Sequence, residues 1–316
     1  MELLLDASLP SSLNRLARQQ RGVLTTAQLR TAGLTDARIH DVGRRDGWRP
    51  LLRGTRLVAV HDGDDALEDL ARSWNQAAVL VLPRAVLARD SALRELRVAG
   101  LPFRDGVCVA VPPGAELRGR AGLEALVTQL APGHVTTSVW GLPMTSAVRS
   151  LADTVPRCDR PTGLSVLDSV RRRGATEASL AAARVLAQGH RGCRQVDDLW
   201  GLADPDAETP LESRVRLRMI DGRLAPDRLQ QRLKDASGRV YARPDMTIDR
   251  ERRRRPHRGP LFVEADGVGP HGSPTAAFRD RDKTSAITAD DGDVERFTWR
   301  DTLDPMRIPW RLRRAL

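Results

Sequence analysis

Hydrophobic positions change their period several times along this chain. Near the start, Leu13, Leu16 and Ala17 recur at helical spacing, as the inner stripe of a short helix does. Thr25-Thr26-Ala27-Gln28 has capping-box spacing, Leu29 and Ala32 lie inside the helix it opens, and Gly33 stops it. Thr35 caps a third helix that turns Ile39 and Val42 inward. WRPLLRGTRLVAV then reads as two strands turning near Gly54. An acidic turn (His61 to Asp65) and a loop-rich stretch (Ala203 to Pro210) mark boundaries. Between them GVCVAVP reads as a buried strand and HVTTSVWGLP as a strand ending in a Gly-Leu-Pro turn. Thr145 is expected to cap a helix carrying Val148, Leu151, Ala152 and Val155. Three more helices run through Leu164-Leu167-Val170, Leu180-Ala183-Ala187 and Val196-Leu199-Trp200, with Gly174 stopping the first.

In the last third, Thr209, Pro210 and Glu212 stand as cap, first-turn and third-position residues of a helix. Leu211, Val215 and Met219 form its inner stripe. LQQRLKDASGRVYARPDMTI reads as strand, turn at Ala236-Ser237-Gly238, and strand. A basic turn, DRERRRRPHRG, leads to LFVEADG, then a helix around Arg279 to Ala289 and a last strand, VERFTW. The expected fold class is α/β in three domains: residues 1–62 a winged helix-turn-helix, 66–204 a small α/β middle domain, and 206–316 a mixed sheet with flanking helices.

Composition changes this picture in three places. A 41% hydrophobic content fills real cores, whereas 3% aromatic content argues against stacked platforms for single strands. A formal charge of +10 favours a polyanionic partner. Nearly all of it is arginine, with lysine only at Lys234 and Lys283, so where the charge sits matters more than its sum. Cys108, Cys158 and Cys193 are scattered, as free thiols of a reducing compartment are, and a cytoplasmic location is expected. MELLLDASLPSS carries Glu2 and no basic flank, which makes a poor signal peptide. The apolar run AAVLVLPRAVLA is broken by Pro83 and Arg84, so no membrane span is expected.

Two constellations carry chemistry. The third helix leaves Arg38, His40, Arg44 and Arg45 to face outward, and the strand pair after it carries Arg49, Arg53 and Arg56. A second helix with outward arginines enters the major groove of duplex DNA, and a basic hairpin beside it touches phosphate or minor groove. The competing reading is a small helical module with solvated arginines. His134, His190 and Asp168 in the middle region are expected at the surface or in caps.

Near the C-terminus, acids stand where hydrophobes are expected. Asp245 follows Arg243-Pro244 in a strand-like run, and Glu264 and Asp266, two apart, share one face of the next strand. Clustered carboxylates call for a cation or a shared proton. A hard ion, Mg²⁺ or Mn²⁺, suits oxygen ligands, and Asp245, Glu264 and Asp266 are its candidate ligands. His271 is placed to move a proton. Each residue also has a plainer reading: Glu212 as a capping acid, His271 in the loop GPHGSP, Asp266-Gly267 as a turn. The run Arg252, Arg253, Arg254 and Arg255 either tracks a phosphate backbone or is a soluble insertion.

RQQRGVLTTAQLRTAGLTDARIHDVGRRDGWRPLLRGTRLV resembles the N-terminal winged-helix domain of AbiEi-type antitoxins, and LPMTSAVRSLADTV resembles the segment that follows it there. This resemblance implies binding to double-stranded DNA, with Arg38, Arg44 and Arg45 on the recognition helix. TPLESRVRLRM, YARPDMTI, FVEADG, a helix holding Arg281-Asp282-Lys283, and VERFTW follow in order over residues 206–303. That series resembles nucleases related to very-short-patch-repair endonucleases, within the PD-(D/E)XK superfamily. It implies Asp245 as main metal ligand, Glu264 and Asp266 as paired acids, His271 as an active-site histidine and Glu212 as a first-helix glutamate. Asp266 stands where that superfamily has a lysine. Three functions follow as expectations: a Mg²⁺-dependent DNA endonuclease, a catalytically silent regulator using the winged helix, or an antitoxin whose partner is a protein toxin.

Overall fold

Apolar spacing sets where most elements form, and they assemble into two compact units. The computed structural model describes residues 3–5, 9–45, 47–61, 63–115, 121–254, 258–267 and 292–316. Helices and mixed sheets make the chain α/β. One unit comprises Met1–Arg157 and Ser179–Cys193, the other Cys158–Ala178 and Arg194–Leu316. Among the described residues, no helix is long and apolar enough to cross a membrane.

The first unit opens with β1 (Leu3–Leu5), α1 (Ser11–Gln19), β2 (Val23–Thr25), α2 (Thr26–Thr31) and α3 (Asp36–Arg45). β3 (Arg49–Pro50), β4 (Thr55–Leu57) and β5 (Ala59–His61) follow. The capping box forms as its spacing predicts: the Gln28 N–H donates to the Thr25 hydroxyl at 3.1 Å, and the Thr25 N–H to Gln28 Oε1 at 2.8 Å. Leu13, Ala17, Leu29, Ile39 and Val42 close one small core with Trp48. β2, β4 and β3 form an antiparallel sheet in that order, turning at Gly54, whose φ of +87° suits glycine.

Next come α4 (Ala66–Val81), β6 (Val86–Leu87), α5 (Arg89–Glu95), β7 (Val107–Val111), β8 (Leu123–Val127), β9 (Val135–Thr137), β10 (Pro143–Thr145) and α6 (Ala147–Thr154). The strands form a mixed sheet in the order β8-β7-β6-β10-β9. Apolar spacing does not announce α4, because polar Asp69, Ser73, Asn75 and Gln76 are buried in it beside Leu70, Trp74 and Ala77. The cap of α6 is Ser146, which accepts the Arg149 N–H; Thr145 instead shares a 2.7 Å hydrogen bond with Ser150. A single core joins Val23, Leu52 and Leu57 to Leu70, Trp74 and Val109, running across position 62 without a break. Buried Arg21, held at φ +54°, grips Glu95 with two bonds of 2.6 and 2.7 Å, and Asn75 donates to the same carboxylate. That fork fits carboxylate geometry, and it fastens the α1–β2 corner to α5.

The second unit contains α7 (Arg160–Arg172), α9 (Leu199–Leu202) and α10 (Pro210–Asp221), while α8 (Glu177–Ala187) lies mostly in the first. β11 (Arg228–Leu229), β12 (Leu233–Lys234), β13 (Val240–Ala242), β14 (Met246–Ile248), β15 (Leu261–Ala265), β16 (Asp293–Phe297) and α11 (Arg307–Ala315) complete it. β11, β14 and β15 pair antiparallel, β16 joins β15 in parallel, and β12 and β13 form a separate hairpin. The segment read as two long strands is therefore four short ones, broken at Gln230–Arg232 and Arg243–Asp245. Gln230 takes φ +49°, a left-handed conformation that no strand continues through. Leu211, Val215 and Met219 pack with Met246, Val263 and Leu312 on one face of the sheet, as the inner stripe predicts. On the other face Leu233 and Tyr241 of the hairpin pack against Phe262. The helix expected around Arg279 to Ala289 lies outside the described residues.

Asp168 is neither at the surface nor in a helix cap. It is buried on α7, accepts two bonds from Arg216 of α10 at 2.7 and 2.9 Å, and takes the Asp204 N–H at 2.8 Å. Burial pushes its carboxyl above the usual range, outweighing the guanidinium beside it. Such a pair yields little net stability, yet losing one partner strands the other's charge. Asp168→Asn should therefore cost about 3–5 kcal/mol, while the Asp168→Leu/Arg216→Met double variant costs less. Hydrogen exchange of the α7 and α10 amides measures both; equal costs would refute the coupling.

Candidate functional site

α10 brings the first acid. Thr209 caps it through the Glu212 N–H at 3.2 Å, as expected, but the Glu212 carboxylate does not close a capping box on Thr209. It reaches one residue further back, where its Oε2 accepts the Glu208 N–H at 2.8 Å. The same oxygen accepts Gln230 Nε2 at 2.9 Å, so Glu212, only 6% exposed, has a second attachment that capping does not explain.

Asp245 stands at the bend that opens β14, after buried Pro244. Its Oδ2 accepts the Ala265 N–H at 2.8 Å, and its Oδ1 takes Gln230 Nε2 at 3.3 Å. Met246 pairs with Val263 across β14 and β15, and that register sets Asp245 beside the end of β15, where Glu264 and Ala265 stand. Glu264 is half-buried. Asp266 follows the strand, exposed, with its N–H donating to Phe297 O at 2.7 Å. His271 lies outside the described residues. Among the described residues no three His, Cys, Asp or Glu side chains gather as a metal-ligand group. What the fold joins through one amide is Glu212 and Asp245, with Glu264 at the neighbouring strand end.

Gln230 is the residue that sequence reasoning missed. Its N–H donates to Asp245 O at 3.0 Å, its Nε2 spans the two carboxylates, and its Oε1 is buried with no hydrogen-bond partner among the described residues. A non-glycine residue at positive φ costs free energy that the surrounding structure must outweigh. No motif announces a glutamine in this role, since only tertiary contact reveals it. Burial pushes the Glu212 carboxyl up, and the nearby Asp245 adds to the rise; the Glu208 N–H and Gln230 oppose it.

The basic candidates divide. Arg38, Arg44 and Arg45 stand exposed on α3, and Arg53 is exposed before the Gly54 turn. Arg49 is taken by Asp105 at 2.6 Å, and Arg56 is half-buried with its Nε enclosed. In the run after β14, Arg253 is buried, donating to Gly259 O, Ala315 O and Asp293 at 2.8, 2.9 and 2.5 Å. Arg252 binds Ala225 O and Asp227, and the Arg254 N–H donates to Leu316 O at 2.7 Å. Arg253 fastens the β14–β15 connection to the end of α11, while the Arg254 side chain is exposed. Arg255 lies outside the described residues.

No family model and no curated protein matches the chain. Among solved structures it is similar to the RV2827C protein from Mycobacterium tuberculosis. The two are 18% identical with a TM-score of 0.34, over 64% of this chain and 86% of that one. A superposition this loose carries no argument.

Glu212 gives a pH signature. Its carboxyl is raised in the folded chain, so the stability tied to its protonated form is full below the ordinary glutamate range and is lost as pH rises through the raised value. Glu212→Gln keeps an oxygen for Glu208 and Gln230 and removes the charge. The variant should be more stable than wild type at pH 7 and lack this decline, as thermal unfolding between pH 4 and 8 will show. A pH profile unchanged by the substitution would contradict the buried-carboxylate assignment.

Proposed function

We propose that this chain binds double-stranded DNA and that its second unit is a Mg²⁺-dependent phosphodiesterase site of the PD-(D/E)XK type. The observation that carries the reading is the apposition of Glu212 from α10 with Asp245, whose carboxylate is fastened to the N–H of Ala265, between Glu264 and Asp266. A helix acid, a Pro-Asp at one strand start and a Glu-X-Asp at the next strand end stand in the order that the sequence resemblance implies.

The donor set is all oxygen, and Mg²⁺ needs only one or two carboxylates, the rest of its sphere being water and substrate phosphate. Asp245 and Glu264 are the residues that would hold it, with Glu212 nearby. When bound, the ion polarises a scissile phosphodiester and lowers the pKa of a bound water. The chain's own residues hold the acids: the Ala265 N–H donates to Asp245, the Glu208 N–H donates to Glu212, and the Gln230 amide donates to both carboxylates. Burial raises the Glu212 carboxyl above the ordinary glutamate range, which makes it a better proton acceptor for the attacking water than an exposed glutamate.

A silent regulator is the second reading. It is favoured by Asp266 in the lysine's place and by the Gln230 amide, which links both carboxylates without any ion. Duplex binding belongs to either reading. In both readings the three helices and the β2-β4-β3 sheet would serve as a winged helix, with α3 as its recognition helix.

A cleavage assay on duplex, nicked and single-stranded substrates with Mg²⁺ or Mn²⁺ decides between the readings. Wild type should cleave, and Asp245→Ala should lower the rate by at least about 100-fold, the scale on which charge-stabilising groups act. Full duplex binding with no cleavage and no divalent binding up to about millimolar ion, the weak end of oxygen-ligand sites, would leave the regulator. For α3, Arg38→Ala/Arg44→Ala should weaken duplex binding and reduce the slope of log K against log salt by about 2. An unchanged slope would remove α3 from the interface.

A further inference from the structure

Between Gln230 and Asp245 the chain makes one excursion, the β12–β13 hairpin, and both its feet stand on the candidate acid site. At one foot Gln230, at φ +49°, bonds to Glu212 and Asp245 through its side chain; the Gln230 N–H meets Asp245 O at 3.0 Å and closes the base. We infer that this hairpin grips the phosphate backbone of duplex DNA and lays it across the acids, an inference that rests on the function proposed above.

Charge and rigidity support it. Arg232, Lys234 and Arg239 are exposed on the hairpin, and neither Arg232 nor Lys234 has an acid partner among the described residues. The hairpin's single acid, Asp235, is spent inside the turn, where it accepts the Ser237 N–H at 2.8 Å, the Ser237 hydroxyl at 2.6 Å and the Arg239 N–H at 3.0 Å. Asp235 is exposed as well, so the arm presents three cations against one acid. Leu233 and Tyr241 pack on Phe262, two residues before Glu264 on the same strand face, so the arm is seated on the sheet that carries the acids. A grip already ordered loses little conformational freedom on binding. The seven residue-to-residue steps from Gln230 to Ser237 reach at most about 23 Å when extended, enough to follow several phosphates of a strand that rises about 3.4 Å per nucleotide.

The test uses the full chain and a 30-base-pair duplex of mixed sequence, titrated at several salt concentrations without divalent ions. Arg232→Ser/Lys234→Ser/Arg239→Ser should reduce the slope of log K against log salt by about 2 to 3, and equally so for an unrelated duplex. Arg232→Lys/Arg239→Lys should keep the wild-type slope. If the triple variant fails to fold, Arg232→Ser and Lys234→Ser singly should each lower the slope by about 1. An unchanged slope in a folded variant with wild-type binding overturns the hairpin grip and leaves the proposed function standing. Wild type with no salt-dependent duplex affinity removes both.

Discussion

Much of the second unit depends on the orientation of one helix. α10 is buried on nearly every side, with Glu212, Arg214 and Arg216 enclosed along with Leu211, Val215, Leu217 and Met219. A helix apolar on one stripe is oriented by hydrophobic contact, but one with buried arginines is oriented by where each charge finds its acceptor. Arg216 finds Asp168, Arg214 lies over the ring of Trp299 at 4.4 Å and donates to Thr302, and Arg218 donates to Thr302 O. These contacts leave α10 little freedom to rotate. Glu212, one turn before Arg216 on the same face, is thereby delivered to Gln230 and to the side of Asp245.

Delivery has a cost at the site itself. Two carboxylates share one amide, one of them is nearly enclosed, and the residue supplying the amide is held at a positive φ. None of this favours folding. Strain and like charge persist only where the surrounding packing over-determines them, and here the core around Val215, Ile248, Leu261 and Phe297 does so. Along β15 the faces alternate: Leu261 and Val263 pack with the helices, and Phe262 packs against the hairpin.

The chain's excess of arginine is mostly architectural. Arg21, Arg94, Arg216 and Arg253 are buried, and each holds a carboxylate or a main-chain oxygen. Each of them also faces a carboxylate, so these pairs cancel within the net charge of +10 and position decides what is offered to a polyanion. Exposed cations stand on α3 and on the β12–β13 hairpin, whereas in the densest basic run of the sequence Arg252 and Arg253 are bound into the β14–β15 connection.

Much of the local structure was legible without coordinates, because caps and stripes are local physics. Thr25, Gly33, Thr209 and the apolar stripes of α1, α3 and α10 depend on neighbours within a few residues. Asp245 and Glu264 were also conspicuous as acids interrupting hydrophobic strands, but that Asp245 takes the Ala265 N–H was not legible. Helix α4 was not, because its polar residues are buried among partners far away in sequence. Asp168, Arg253 and Gln230 were hidden for the same reason: a buried polar group is defined by the partner it meets, and those partners lie 48, 40 and 15 residues away. The sequence by itself determined the elements and the candidate acids. Which charges are spent inside, and which amide binds the acids together, was decided only when tertiary packing brought distant donors and acceptors within about 3 Å of one another.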